Sequence, residues 1–286
     1  MIYVASVHWR DPKWVEPQIR FLRRHLPEHR TWAAVDGIPA ADAAAFDVAL
    51  ELEGSHPEKL NELAERIAAV AAPDDLILFV DGDAFPIARI DASLLGSLPL
   101  AAVRRDENLG DPQPHPCCCL TTVGYWIEIG GDWRRGHTWV NAAGETVSDT
   151  GGNLLGILEA RGDEWRPLLR TNRVDLHPLW FAVYGDVVYH HGAGFRDPVA
   201  RVTTTDARER ARTAARGTVI PAGVPILGRA ERSVRYRAAM RRYEREVAAG
   251  AAADRALADE VFEQLRVDDD FALRFTGPRR QPWGSA

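Results

Sequence analysis

The segment that most limits what this chain can fold into is Leu76-Ile77-Leu78-Phe79-Val80, an unbroken apolar run with Asp74-Asp75 before it and Asp81-Gly82-Asp83 after it. A run this short, bounded by acidic residues, marks a β-strand buried on both faces, and such strands belong to sheets covered by helices. The preceding residues supply the rest of such a sheet. Residues 2–8 read as a first strand, broken at Asp11-Pro12. Residues 14–26 place Trp14, Val15, Ile19, Phe21, Leu22 and Leu26 along one helical face, and Pro27 ends that helix. Thr31 to Val35 is a second strand ending at Asp36-Gly37, and Val48 to Leu52 is a short apolar segment. Ser55-His56-Pro57-Glu58 is a capping box with Pro early in the helix, and the helix it opens runs to about Ala72. Strand, helix, strand, helix, strand in this order predicts an α/β fold with an open, mostly parallel central sheet flanked by helices.

The texture changes near residue 99. Short strand-like runs (Ala101 to Val103, Cys117 to Val123) alternate with Gly-, Pro- and Asp-rich loops, and Asp149 precedes a helix that runs to about Ala160. Val183 to His190 has strand character interrupted by Gly185-Asp186. Residues 201–245 hold twelve arginines against four acids, and residues 229–266 read as two helices split near Gly250. The predicted organisation is a main domain over 1–200, with halves 1–98 and 99–200, followed by an Arg-rich helical extension over 201–286. Such a basic helix has two readings, a solvated helix packed on the main domain and a peripheral contact with an anionic membrane.

Composition narrows the function classes. With 46% hydrophobic and 27% charged residues the chain is a folded globular protein, and a formal net charge of −6 gives no reason to expect nucleic acid as a partner. The first residues lack the basic leader of a signal peptide, and no apolar stretch approaches the roughly 20 residues of a spanning helix, so the sequence reads as cytoplasmic. Cys117, Cys118 and Cys119 are adjacent, which suits neither a disulfide framework nor a zinc knuckle and predicts buried thiols on a strand.

The chemistry concentrates at Asp81-Gly82-Asp83. Ligands of open α/β sheets sit at the carboxyl ends of the strands. Two carboxylates placed there can hold a hard divalent cation, which would neutralise charge on a leaving diphosphate. The bland reading of the same tripeptide is the turn that ends the strand. Its position after two strand–helix units resembles the D-x-D motif of the GT-A fold glycosyltransferases, over roughly residues 1–200. The resemblance implies a Rossmann-like GT-A sheet and a nucleoside-diphosphate sugar as donor, with UDP as the default. It also implies Mn²⁺ or Mg²⁺ as cofactor and transfer to a hydroxyl or amine acceptor of unknown identity. Asp83 would coordinate the metal, and Asp81 would meet ribose, metal or both. Ser6, Val7, His8 and Asp36 at strand ends would surround the nucleotide, with Lys59 and Asn61 near the donor.

The same resemblance extends to Tyr189-His190-His191-Gly192-Ala193-Gly194-Phe195-Arg196, as a late metal-binding His followed by a Gly-rich turn and a basic residue, Arg196, near the diphosphate. Alternation along a strand lets only one His face the site; His191 is preferred, with His190 as the alternate. Asp149-Thr150-Gly151 resembles the carboxylate base of inverting members, although the paired acidic motif is absent because Ser148 precedes Asp149. Trp126, Asp132 and Trp133 fall where this fold builds its acceptor site, together with His115-Pro116, His137 and Trp139. Arg104 and Arg105 have two readings, ion pairs with nearby acids and a contact with phosphate. The alternatives are a phosphatase of the haloacid dehalogenase type, whose strand lies near the chain start and whose later Lys is missing here, and a non-catalytic nucleotide-sugar-binding protein on the same fold.

Overall fold

A computed structural model describes residues 1–192, 194, 204–216 and 225–277. The chain divides into two compact units, Met1–Phe195 with Leu265–Ala286, and Arg196–Gln264.

The first unit opens with β1 (Ile2–Trp9), α1 (Val15–His25), β2 (His29–Asp36), α2 (Ala40–Ala43), β3 (Val48–Leu50), α3 (His56–Ala68) and β4 (Leu76–Asp81). These follow the sequence pattern closely. The Ser55/Glu58 capping box is present, and Leu26-Pro27 closes α1. Then come β5 (Ala84–Pro86), β6 (Leu100–Val103), β7 (His115–Thr122), α4 (Val123–Ile129), the short pair β8 (Trp139–Val140) and β9 (Thr146–Val147), α5 (Gly152–Arg161), β10 (Arg166–Leu168), β11 (Ala182–Tyr184) and β12 (Val188–His190).

Seven strands form the main sheet in the order β10-β6-β7-β4-β1-β2-β3. All neighbours are parallel except β7, which runs antiparallel to both β4 and β6. The class is therefore α/β with a mostly parallel central sheet. Its two faces are both covered. Ile2, Val4, Leu76, Leu78 and Val80 pack with α1 through Val15, Ile19 and Leu22. Tyr3, Ala5, Val7, Ile77 and Phe79 pack with α3 through Leu60, Leu63 and Ile67, and with Trp126 of α4 and Leu154 and Leu158 of α5. Alternate residues of one strand thus enter different cores, which explains why β4 is apolar at every position. The three cysteines lie on β7, each fully buried, and burial pushes their thiol pKa values up.

Strand order reverses at β1: the chain moves from β1 to β2 and β3 on one side, then returns to lay β4 on the other. The carboxyl ends of β1 and β4, paired Val7 to Asp81, form the switch point at which open sheets bind ligands. A small antiparallel sheet, β11-β12-β5, joins the end of β4 to the late hairpin, with His190 opposite Ala84.

The second unit holds α6 (Thr204–Arg216) and most of α7 (Pro225–Val267). The break predicted at Gly250 is corrected: α7 is one helix through that position. A glycine inside a helix costs only about 1 kcal/mol, and the alanines on both sides are strong helix formers. Ion pairs one turn apart, Arg235–Glu231 at 2.9 Å and Arg242–Glu246 at 3.0 Å, line the exposed face. Among the described residues, no helix is long and apolar enough to cross a membrane.

Candidate metal centre

The turn Asp81-Gly82-Asp83 is clamped from below by Gln18, a fully buried residue of α1. The Gln18 amide donates to the carbonyl oxygens of Asp81 (2.8 Å) and Ala84 (2.9 Å), while its oxygen lies 2.9 Å from His8 Nε2. His8 is itself fully buried, its ring tilted on Phe46 at 5.0 Å. Burial drops the His8 pKa to about 4, against smaller opposing contributions from Gln18 and Asp83.

That value fixes a pH dependence. The folded pKa lies below the unfolded 6.5, so between pH 6.5 and 4 the unfolded chain takes up a proton that folded His8 refuses. Stability present above pH 6.5 is lost as the pH falls, by about 1.4 kcal/mol per unit. His8→Gln is expected to flatten the pH dependence of urea-unfolding free energy across this window by about one proton; an unchanged slope would contradict the assignment.

Above the clamp, Asp81, Asp83 and His190 bring two carboxylate oxygens and one imidazole nitrogen within 4.8 Å of one another. His190 Nε2 lies 3.5 Å from Asp83 Oδ1 and 3.8 Å from Asp81 Oδ2. Asp83 Oδ2 accepts the Gly194 N–H at 2.9 Å, and Trp14 Nε1 donates to the Gly194 carbonyl at 3.2 Å. A Cβ on residue 194 would come within 2.6 Å of the Asp83 Cβ and 2.7 Å of the Trp14 indole nitrogen, so only glycine fits there.

The preference for His191 is corrected. His190 ends β12 and faces the carboxylates, whereas His191 points to the other side with Tyr189, whose hydroxyl is 3.0 Å from His191 Nδ1. Burial holds His191 at a pKa of about 3, and its ring packs on Trp14 at 4.6 Å. Its backbone N–H donates to the Asp83 carbonyl at 3.0 Å, so it supports the turn without facing the carboxylates.

The residue that sequence reasoning missed is His56. Its Nε2 sits 3.2 Å from Asp81 Oδ1, at the first turn of α3. Burial works against a charged His56 imidazole, but the Asp81 and Asp83 carboxylates outweigh it and raise the pKa above its ordinary value. In turn, burial pushes the Asp81 carboxyl up, and chiefly the contact with His56 outweighs this and holds it well below the usual carboxylate range. Asp83 is likewise held below that range, burial being outweighed chiefly by His190. Both carboxylates are therefore ionised at neutral pH, as metal ligands must be.

A divalent cation fits this group. Two carboxylates and one imidazole whose ligand atoms lie within 4.8 Å of one another suit a Mn²⁺-class ion. His56 supports Asp81 from outside the three-ligand group, so His56→Ala is expected to weaken Mn²⁺ affinity by roughly 10- to 100-fold. Isothermal titration with Mn²⁺ checks this, and an unchanged affinity would remove His56 from the centre.

Other expected site residues are placed as follows. Asp36, at the end of β2, pairs with buried Lys59 at 3.3 Å. Ser6 and His8 are buried and offer no surface to a ligand in this structure, which corrects their expected contact with a nucleotide. Asn61 acts as a clamp in the fold: its amide nitrogen donates to Asp132 Oδ1 (2.7 Å) and its oxygen accepts the Trp133 N–H (2.9 Å). Trp133 is fully buried against Phe79 at 5.1 Å, which leaves no ring face for an acceptor sugar. Trp126 and Asp132 line an open cleft of about 660 Å³ with Asn61, Arg134, His137 and Asn153, but the Asp132 carboxylate is already held by Asn61, Arg134 and Asn153. Asp149 precedes α5 without capping it, since Gly151 takes the cap position at φ 89°. Its carboxylate pairs with Arg135 at 2.9 Å and remains 42% exposed. Arg196 lies outside the described residues.

No family model matches the chain, and no curated protein matches it. Among solved structures it is similar to the apo form of the glycosyltransferase GlyE of Streptococcus pneumoniae TIGR4, with 18% identity over 44% of this chain and 35% of that one, at a TM-score of 0.32. It is similar to the bifunctional glycosyltransferase WbbM, with 12% identity over 45% and 32% of the two chains, TM-score 0.32. A third is the galactosyltransferase LgtC in complex with donor and acceptor sugar analogs, with 13% identity over 44% and 59%, TM-score 0.28. The chain spans about a third of the length of the first two. Likenesses of this extent concern the backbone course of less than half of the chain.

Proposed function

We propose that the chain is a metal-dependent glycosyltransferase that moves a sugar from a nucleoside-diphosphate sugar, UDP-linked by default, to a hydroxyl or amine of an acceptor. The observation that carries this reading is the Asp81, Asp83 and His190 group at the carboxyl end of β4, beside the switch point of the sheet. Asp81, Asp83 and His190 would hold Mn²⁺ or Mg²⁺, which when bound offsets the negative charge of the departing diphosphate.

The chain's own residues have separable roles in this reading. Gln18 fixes the carbonyls on either side of the turn, and His56 and Gly194 orient the two carboxylates. Asp36 and Lys59, paired at the end of β2, lie where the nucleoside of a ligand at the switch point would extend. In the transfer, the acceptor oxygen or nitrogen forms its bond to the anomeric carbon as the bond to the diphosphate oxygen breaks. The acceptor's proton passes to a carboxylate, for which Asp149 is the candidate; with Asp149 in that role the transfer inverts. Thermal-shift titration with UDP, GDP and their sugars, with and without Mn²⁺, tests the donor half. A rise in melting temperature that requires both nucleotide and metal is expected. Weak binding indifferent to Mn²⁺ would defeat the reading.

A further inference from the structure

The 43-residue helix α7 carries its charge unevenly. Residues 229–246 hold seven arginines against three acids, whereas residues 247–264 hold one arginine against four. Within the basic half, burial separates two faces. Tyr236, Met240, Tyr243 and Val247 are half-buried, and with buried Asp254 they recur at the spacing of one helical face. Tyr243 lines a groove together with Glu209, Arg210, Thr213 and Ala214, so this is the face turned to α6. The opposite face is open: Ala230, Val234, Arg237, Ala238, Arg241 and Arg245 are all exposed, Val234 by 59%.

Arg237, Arg241 and Arg245 follow one another at four-residue spacing along the open face. Like charges at this spacing repel and destabilise a helix. On its flank the same helix avoids that cost, where Arg235 pairs with Glu231 at 2.9 Å and Arg242 with Glu246 at 3.0 Å. Among the described residues, no carboxylate lies within 4.0 Å of the three arginines of the open face. Arg237 and Arg245 each donate only Nε, to the Ser233 and Arg241 carbonyls of their own helix at 3.3 and 3.1 Å. Three cations in a straight row about 12 Å long match a flat array of anions.

The residues between the arginines select the kind of anionic surface. Grooves that bind single-stranded nucleic acid interleave their cations with exposed aromatic rings for base stacking, and here both tyrosines lie on the covered face. The open face instead interleaves its cations with Ala230, Val234 and Ala238. Small apolar side chains of this kind enter the headgroup boundary of a bilayer, while arginine stems lie along it and their guanidinium heads reach lipid phosphates.

We infer that this face of α7 binds the surface of an anionic phospholipid membrane, lying flat in the headgroup layer. Attachment is peripheral and reversible, since charge attraction dominates and little apolar area enters the bilayer. The inference concerns the second unit alone and is independent of the nucleotide-sugar reading.

Co-sedimentation of the full chain with vesicles tests it, using phosphatidylcholine alone and phosphatidylcholine with one-third phosphatidylglycerol. The wild type is expected to bind the anionic vesicles at least about tenfold more tightly than the neutral ones, and less tightly as salt rises from about 50 to about 300 mM. An arginine near the surface is worth about fivefold, so Arg241→Gln is expected to lose about fivefold and the combined Arg237→Gln, Arg241→Gln, Arg245→Gln variant about 100-fold. The same three changed to lysine keep the charge and are expected to bind within about threefold of the wild type. Arg242→Gln with Glu246→Gln, which removes a flank pair without changing net charge, should bind as the wild type does. Far-UV circular dichroism checks that each variant keeps its helix. No binding to anionic vesicles, equal binding to neutral ones, or full binding by the triple glutamine variant would overturn the inference. Tighter binding to polyuridylate than to the anionic vesicles would overturn it in favour of nucleic acid.

Discussion

Asp83→Asn is expected to abolish Mn²⁺-dependent binding of nucleoside diphosphates, with affinity falling by about 100-fold or more, while the apoprotein loses no more than about 2 kcal/mol of stability. The two effects differ in size for a physical reason. In the metal-free fold the buried Asp83 charge is held chiefly by His190 against the repulsion of Asp81, so removing it costs only the surplus of the attraction over burial and repulsion. An asparagine keeps the shape and can still accept the Gly194 N–H through its amide oxygen. What it removes is one of the two anionic ligands of a three-ligand group. A residue that contributes little to the fold yet is needed for binding is the mark of a functional site. Calorimetric titration with Mn²⁺ and nucleotide, beside urea unfolding of the apoprotein, reads both effects. Unchanged metal-dependent binding, or a loss of more than about 2 kcal/mol of apoprotein stability, would show that Asp83 is chiefly structural.

Gln18→Leu should have the largest effect on stability. One side chain satisfies the carbonyls of Asp81 and Ala84 and partners His8, all beneath the candidate metal centre. Leucine fits the volume roughly but leaves these groups without that partner in a buried place, at about 1–3 kcal/mol each and about 3–5 kcal/mol in all. Metal affinity should fall in parallel, because the turn that aims both carboxylates loses its support. A urea-midpoint change worth under about 1 kcal/mol would mean that water replaces the amide and that Gln18 does not set the turn.

The sheet up to β4 was legible because each element carried its own local signal: Pro27 stopping α1, the Ser55/Glu58 box starting α3, and an apolar β4 filling two cores. The antiparallel β7 was not, since its register with β4 depends on residues 40 or more positions apart, which no local pattern encodes. The same contrast holds within the site. Asp81 and Asp83 declare themselves by position, but His56 stood inside a motif that capping already explained, and only the tertiary fold brings it to Asp81. The choice between His190 and His191 turned on a single residue of strand phase; β12 pairs His190 with Ala84, and it is His190 that faces the two carboxylates. Trp126 and Trp133 lie beside polar and glycine residues in sequence, yet stack at 5.6 Å within the core, because burial of so large a ring outweighs its neighbourhood.

The central claim is that Asp81, Asp83 and His190 form a metal centre serving a nucleotide-sugar donor. Release of nucleoside diphosphate from a panel of nucleotide sugars, followed without acceptor, tests it most directly. The account predicts slow release from at least one donor that requires Mn²⁺ or Mg²⁺, stops on chelation and is absent in Asp83→Asn. Release that persists after chelation, or metal-dependent nucleotide binding with neither release nor transfer, would contradict it.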